Sequence, residues 1–174
     1  DAQLADPLEV VMARLPEPRK TGPESFFGSH IRMCPYFVNY AAAIGLKWQR
    51  LHDCSNMCKM KWANPEPGVY QWADEIVDYV RSKGINILAL PDYPSAYIMP
   101  TNALGQVVYD NEGYKAWCCE LAKHYKGRID HFEIWNEPYM PYFYKRDAKE
   151  YGKTFNAGAE GIRKGNPSAK VIGW

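Results

Sequence analysis

Asp130-His131-Phe132-Glu133-Ile134-Trp135-Asn136-Glu137-Pro138 is the stretch on which the reading of the whole chain turns. Phe132, Ile134 and Trp135 give it β-preferring bulk. Gly127 closes the helical segment ahead of it, and Pro138 ends it by removing a ladder donor. Side chains alternate across a strand, so Phe132 and Ile134 share the face that packs on helices. Glu133, Trp135 and Glu137 then share the opposite face, towards a sheet or barrel interior. Two carboxylates and an amide at one strand end are costly to bury unpaired. A strand that served packing alone would not need them. The bland reading is that Asn136-Glu137-Pro138 simply starts a turn at the solvent.

Working outward, strand-like runs recur on both sides. Residues 25–30, 47–51, 86–90 and 170–174 read as strands, which makes 130–138 the fourth of five. Residues 86–90 form a near-continuous apolar run, as expected of a parallel strand buried on both faces. Helices are expected over 36–44, from Trp72 to Gly84, over 112–125 and over 148–164. Pro35 suits a first helical turn, Gly45 and Gly84 suit helix ends, and Asn111 and Asp147 suit N-caps. His124 reads as a helix-end cation rather than a ligand. Residues 53–71 read as a long loop, and loops of that length in compact domains are usually functional or disordered. Strands that alternate with helices imply parallel βαβ units, an α/β fold. Every candidate polar group falls at a strand's C-terminal end, the face where barrel enzymes build their sites. Residues 1–24 read as an irregular leader or linker, with a short helix near 8–14, and residues 25–174 as the barrel portion.

The run from Phe132 to Pro138 resembles the strand-four motif of clan A glycoside hydrolases, retaining enzymes on a (β/α)8 TIM barrel. The surroundings look most like family 39 and its relatives. The resemblance implies that Glu137 is the general acid/base and that Asn136 hydrogen-bonds the sugar 2-hydroxyl beside the bond being cleaved. Arg50-Leu51-His52 resembles the strand-two tip of such enzymes, where Arg50 and His52 would line the subsite and hold the nucleophile's charge. Tyr70-Gln71-Trp72 before a helix also recurs in clan A chains. In clan A the nucleophile ends strand seven, and no residue of the five strands read here matches it. The expectation is therefore the first five strands of a barrel that typically needs about 250 residues. The chain would be the N-terminal portion of a longer enzyme, the favoured expectation, or a half-barrel whose partner supplies the missing C-terminal half. Enzymes of this kind are often exported, so an extracellular or periplasmic setting is favoured over the cytoplasm that free thiols would also suit.

The residues themselves add detail. An inward Arg50 can hold Glu133 or another barrel carboxylate bidentately. Glu133, about 7 Å deeper along the strand than Glu137, reads as a buried ion-pair partner rather than a nucleophile. Glu137 must carry a proton near working pH to protonate a leaving oxygen. Trp62, Tyr93, Trp135, Tyr139 and Tyr142 can stack on sugar faces, although Tyr and Trp also fill ordinary cores. The same aromatics fit a non-catalytic carbohydrate-binding barrel. A barrel acting on a phosphorylated metabolite is disfavoured, because no Gly-rich loop opens a helix to cradle phosphate.

A formal net charge of +1 with no basic stripe argues against nucleic acid as a partner. No apolar run approaches the ~18 residues of a membrane span. The 5 cysteines are an odd set without regular spacing, so they are not a disulfide framework. Cys118 and Cys119 read as packing thiols in a helix. Cys54 and Cys58, beside His52 and Asp53, leave a disulfide or a zinc site open, but the spacing matches no closed zinc set. No metal and no cofactor are expected.

Overall fold

The structure, a computed structural model, describes residues 21–52 and 57–173. The helix expected near residues 8–14 lies outside the described residues. So do Asp53 and Cys54, and with them the Cys54–Cys58 pairing and its zinc alternative.

Among the described residues, five strands form one sheet: β1 (Gly28–Ser29), β2 (Trp48–Arg50), β3 (Asn86–Ala89), β4 (His131–Glu133) and β5 (Lys170–Ile172). All neighbours are parallel, and the spatial order is β1-β2-β3-β4-β5. Each strand therefore lies beside the next in sequence, as successive βα units require. The register sets Trp48 beside Asn86, Leu88 beside His131, and His131 beside Lys170.

The connecting helices are α1 (Pro35–Ala43), α2 (Met60–Ala63), α3 (Asp74–Ser82), α4 (Asn111–His124) and α5 (Ala148–Gly165). Pro35 occupies the first turn of α1, where its missing N–H has no partner to lose. Gly45 and Gly84 follow α1 and α3 at φ +82° and +70°, a left-handed region that glycine enters without a Cβ clash. Asp147 caps α5 by accepting from the Glu150 N–H. The α4 cap differs from expectation. Asp110, not Asn111, accepts from the Glu112 and Gly113 N–H groups, at 3.1 and 3.0 Å. Asn111 instead accepts from the Thr154 hydroxyl of α5. The loop expected at 53–71 contains α2, whose first N–H groups are held by the tip of β3: Met60 N donates to Asp92 O and Lys61 N to Tyr93 O.

The core lies between sheet and helices. Val38, Val77, Val80, Trp117, Leu121 and Ile162 of the helices are buried against Ile87 and Phe132 of the strands. Phe132 and Ile134 are both fully buried on the helix side, as alternation requires. α4 and α5 pack closest, along Gly158, Gly161 and Gly165. A Cβ on Gly161 would stand 2.3 Å from the Lys115 carbonyl oxygen, and one on Gly165 2.1 Å from that of Cys119. Cys118 is buried in this contact, and burial pushes its thiol pKa well up. His124 ends α4 against Asp74, 2.8 Å away, with its ring stacked on Trp72. Among the described residues, no helix is long and apolar enough to cross a membrane.

Candidate active site

The site sits where β2, β3 and β4 end. Arg50 leaves the end of β2 towards β4. Its Nε donates to Glu133 Oε2 at 2.7 Å and its Nη2 to Glu133 Oε1 at 2.8 Å, a two-pronged pair. The same Nη2 donates to Asn136 Oδ1 at 3.0 Å. Glu133 is buried, and a carboxylate there needs this partner. Because Arg50 occupies the Asn136 carbonyl oxygen, the amide orientation is set, and its NH2 is the side left to donate.

The strand does not run on to Pro138. The ladder stops at Glu133, and the chain then turns through two left-handed residues, Trp135 at φ +68° and Glu137 at φ +40°. The expectation that Glu133, Trp135 and Glu137 share one strand face is therefore corrected. Tyr93, at the tip of β3, has φ +44°. Among the described residues these three are the non-glycine residues with positive φ, and all flank one mouth. Each such residue costs about 1–3 kcal/mol, and the surrounding contacts must hold it.

Those contacts come from the helices. The Tyr114 hydroxyl of α4 donates to the Pro91 carbonyl at 2.8 Å, and the Tyr151 hydroxyl of α5 to the Ile134 carbonyl at 3.0 Å. Trp135 is buried. Its indole N–H donates to the Phe143 carbonyl at 2.9 Å, and its ring meets Tyr109 and Tyr144 edge-on. The turn that results leaves Glu137 half-exposed at the mouth. The exposed Tyr139 places its hydroxyl 3.4 Å from Glu137 Oε1.

His52 and Asp92 are both buried, with His52 Nε2 3.7 Å from Asp92 Oδ2. The His52 ring packs on Phe143 and Tyr93. Beside the mouth lies a hollow of about 330 Å³, within the size range of small-ligand sites. Tyr93, Tyr109, Trp135 and Tyr142 line it with Lys61 and Lys145. Trp62, on α2, stands half-exposed next to Lys61 and is not among the residues lining this hollow.

Arg50, Glu133, Asn136 and Glu137 are thus brought to one mouth, with Tyr139 against Glu137. His52, Tyr93 and Trp135 border it by packing. Sequence reasoning missed Lys61, Tyr109 and Lys145. The Lys59-Met60-Lys61-Trp62 run, which begins α2, was a visible signal for Lys61 alone.

No known protein-family profile and no curated protein sequence matches the chain. Solved structures do. The glucosidase from Croceicoccus marinus superposes with a TM-score of 0.59 at 17% identity, over 83% of this chain and 35% of that one. The fold is that of a parallel (β/α) TIM barrel, with five strands in the described sheet. A family 39 glycoside hydrolase from the gut symbiont Bacteroides cellulosilyticus WH2 matches with a TM-score of 0.58 at 16% identity, over 84% of this chain and 31% of that one. A GH30 endoxylanase from Clostridium papyrosolvens C71 gives 0.56 at 19%, over 83% and 40%. The chain therefore spans about a third to two-fifths of the length of these three enzymes.

Proposed function

We propose that residues 25–174 carry the acid/base half of a retaining glycoside hydrolase site. The observation that supports this best is the Arg50–Glu133–Asn136 network, which leads directly to Glu137 at the barrel mouth. In this reading Glu137 protonates the leaving glycosidic oxygen and then deprotonates the incoming water. Asn136, fixed by Arg50, offers its NH2 to the sugar 2-hydroxyl as positive charge develops on the ring. Tyr139 steadies the Glu137 carboxyl. His52, Tyr93 and Trp135 shape the wall of the subsite, and Trp62 is a sugar platform farther out.

A retaining reaction needs a second carboxyl about 5–5.5 Å from the first. Glu133 does not fill that role, because Arg50 holds both of its oxygens. The nucleophile then belongs to further barrel units that add beyond the sheet edges at β1 and β5. Carbohydrate polymers outside the cytoplasm are the expected substrates.

The alternative is a barrel that holds sugar without cutting it. Release of reducing sugar from an unactivated oligosaccharide by the full-length protein separates the two. Turnover supports the enzyme. Saturable binding with no turnover supports the alternative.

A further inference from the structure

We propose that the hollow beside Glu137 is a subsite for an anionic sugar, one that carries a carboxylate or a sulfate. This rests on the glycosidase reading and adds the substrate class to it.

Two lysines line the hollow, Lys61 and Lys145, and a third, the buried Lys59, packs behind Tyr93. Lys59 Nζ and Lys61 Nζ each lie 4.8 Å from the Tyr93 ring centroid. Both are held by the bonds that tie the start of α2 to the β3 tip, Met60 N to Asp92 O and Lys61 N to Tyr93 O. Tyr93 meets them in a left-handed backbone conformation that its own side chain disfavours. Lys61 and Lys145 both line the hollow, and no carboxylate among the described residues does. Neither has a carboxylate partner among the described residues; Lys61 rests on the faces of Tyr93 and Trp62. Lys145 also borders the adjoining hollow, together with Arg146, Tyr139 and one carboxylate, Asp147. Tyr139 in turn touches Glu137. The positive wall and the proposed proton donor therefore belong to one continuous surface.

A neutral sugar needs stacking faces and hydrogen-bond partners. Two exposed ammonium groups face a hollow whose lining holds no carboxylate among the described residues, so the wall of that hollow is net positive. An anionic substituent supplies the opposite charge, while Tyr93, Tyr109 and Tyr142 supply the apolar faces. Lysine acts here as a point charge, so carboxylate and sulfate both fit.

The test uses the full-length protein with Glu137→Gln, so that bound glycan is not hydrolysed. Gluco-, manno- and galacto-oligosaccharides are titrated calorimetrically, each in neutral, 6-carboxylated and 6-sulfated form. The charged forms of the accepted backbone are expected to bind roughly tenfold tighter than the neutral one at low salt, about threefold for each exposed lysine. That advantage shrinks at high salt. The charged-to-neutral ratio falls to one in the Lys61→Met, Lys145→Met double variant and is restored by Arg at both positions. Which charged form gains more identifies the substituent. Equal affinity for neutral and charged forms, or an advantage that survives the double variant, overturns the proposal and leaves the glycosidase reading standing. Binding of none of the nine overturns both.

Discussion

Arg50 makes three charge-assisted hydrogen bonds from one guanidinium, and no other side chain can reproduce that geometry. Arg50→Lys keeps the charge but gives up the fork that spans both oxygens of Glu133 and the Asn136 carbonyl. Glu133→Gln keeps the shape and removes the charge. Arg50 is partly exposed, so the full cost of a buried ion pair does not apply. Each variant is expected to lose about 2 kcal/mol of stability, read from denaturant midpoints. Wild-type midpoints in both would show that the network does not hold the mouth together. Tyr93, Trp135 and Glu137 hold left-handed backbone conformations around the same mouth. Side-chain types give no warning of a positive φ at a non-glycine residue. The strand was therefore legible up to Glu133 and no farther, while the Arg50–Glu133 pairing was legible because strand faces alone bring the two together.

Among the elements, the α4–α5 pair anchors the segments that follow β3 and β4. Tyr114 and Tyr151 reach from these helices to the Pro91 and Ile134 carbonyls. The helices can lie this close because α5 presents glycines. A methyl on Gly161 would meet a backbone carbonyl 2.3 Å away, and backbone moves only if the helix moves. Gly161→Ala should therefore destabilise by about 1–3 kcal/mol, although alanine is the better helix former. A raised melting temperature would contradict the packing described. The long helices were legible from their apolar spacing and their terminal residues. The four-residue α2 was not, because its order comes from hydrogen bonds to the β3 tip rather than from its own sequence. The α4 cap shifted by one position because Asp110 and Asn111 are both competent caps, and Thr154 takes Asn111.

Across the whole molecule, tyrosines tie the sheet to its helices. The Tyr114 and Tyr125 hydroxyls are buried, and burial raises both pKa values. Burial pushes Tyr144 up to about 12, with its hydroxyl bonded to Thr154 at 2.8 Å. An unfolded tyrosine titrates near ~10. The unfolded chain thus releases these protons first, and stability that is fully present below pH ~10 falls as pH rises through the folded-state values. Absorbance titration should show these hydroxyls ionising only together with loss of near-ultraviolet dichroism. Tyr144→Phe should make the alkaline limb shallower. Smooth ionisation of every tyrosine near pH ~10 in the folded protein would refute their burial. The parallel strand order was legible at this scale, because βαβ alternation permits few topologies. The cationic wall was not, because Lys61 and Lys145 lie far apart in sequence.

If Glu137 donates the proton to the leaving oxygen, its loss must matter in proportion to how much the leaving group needs that proton. In the full-length protein, Glu137→Gln should slow hydrolysis of an unactivated glycoside by about 10²–10⁴-fold. A dinitrophenyl glycoside, whose leaving group needs no proton, should still give a rapid first burst followed by slow turnover. Equal rates for wild type and variant on the unactivated glycoside would contradict the claim.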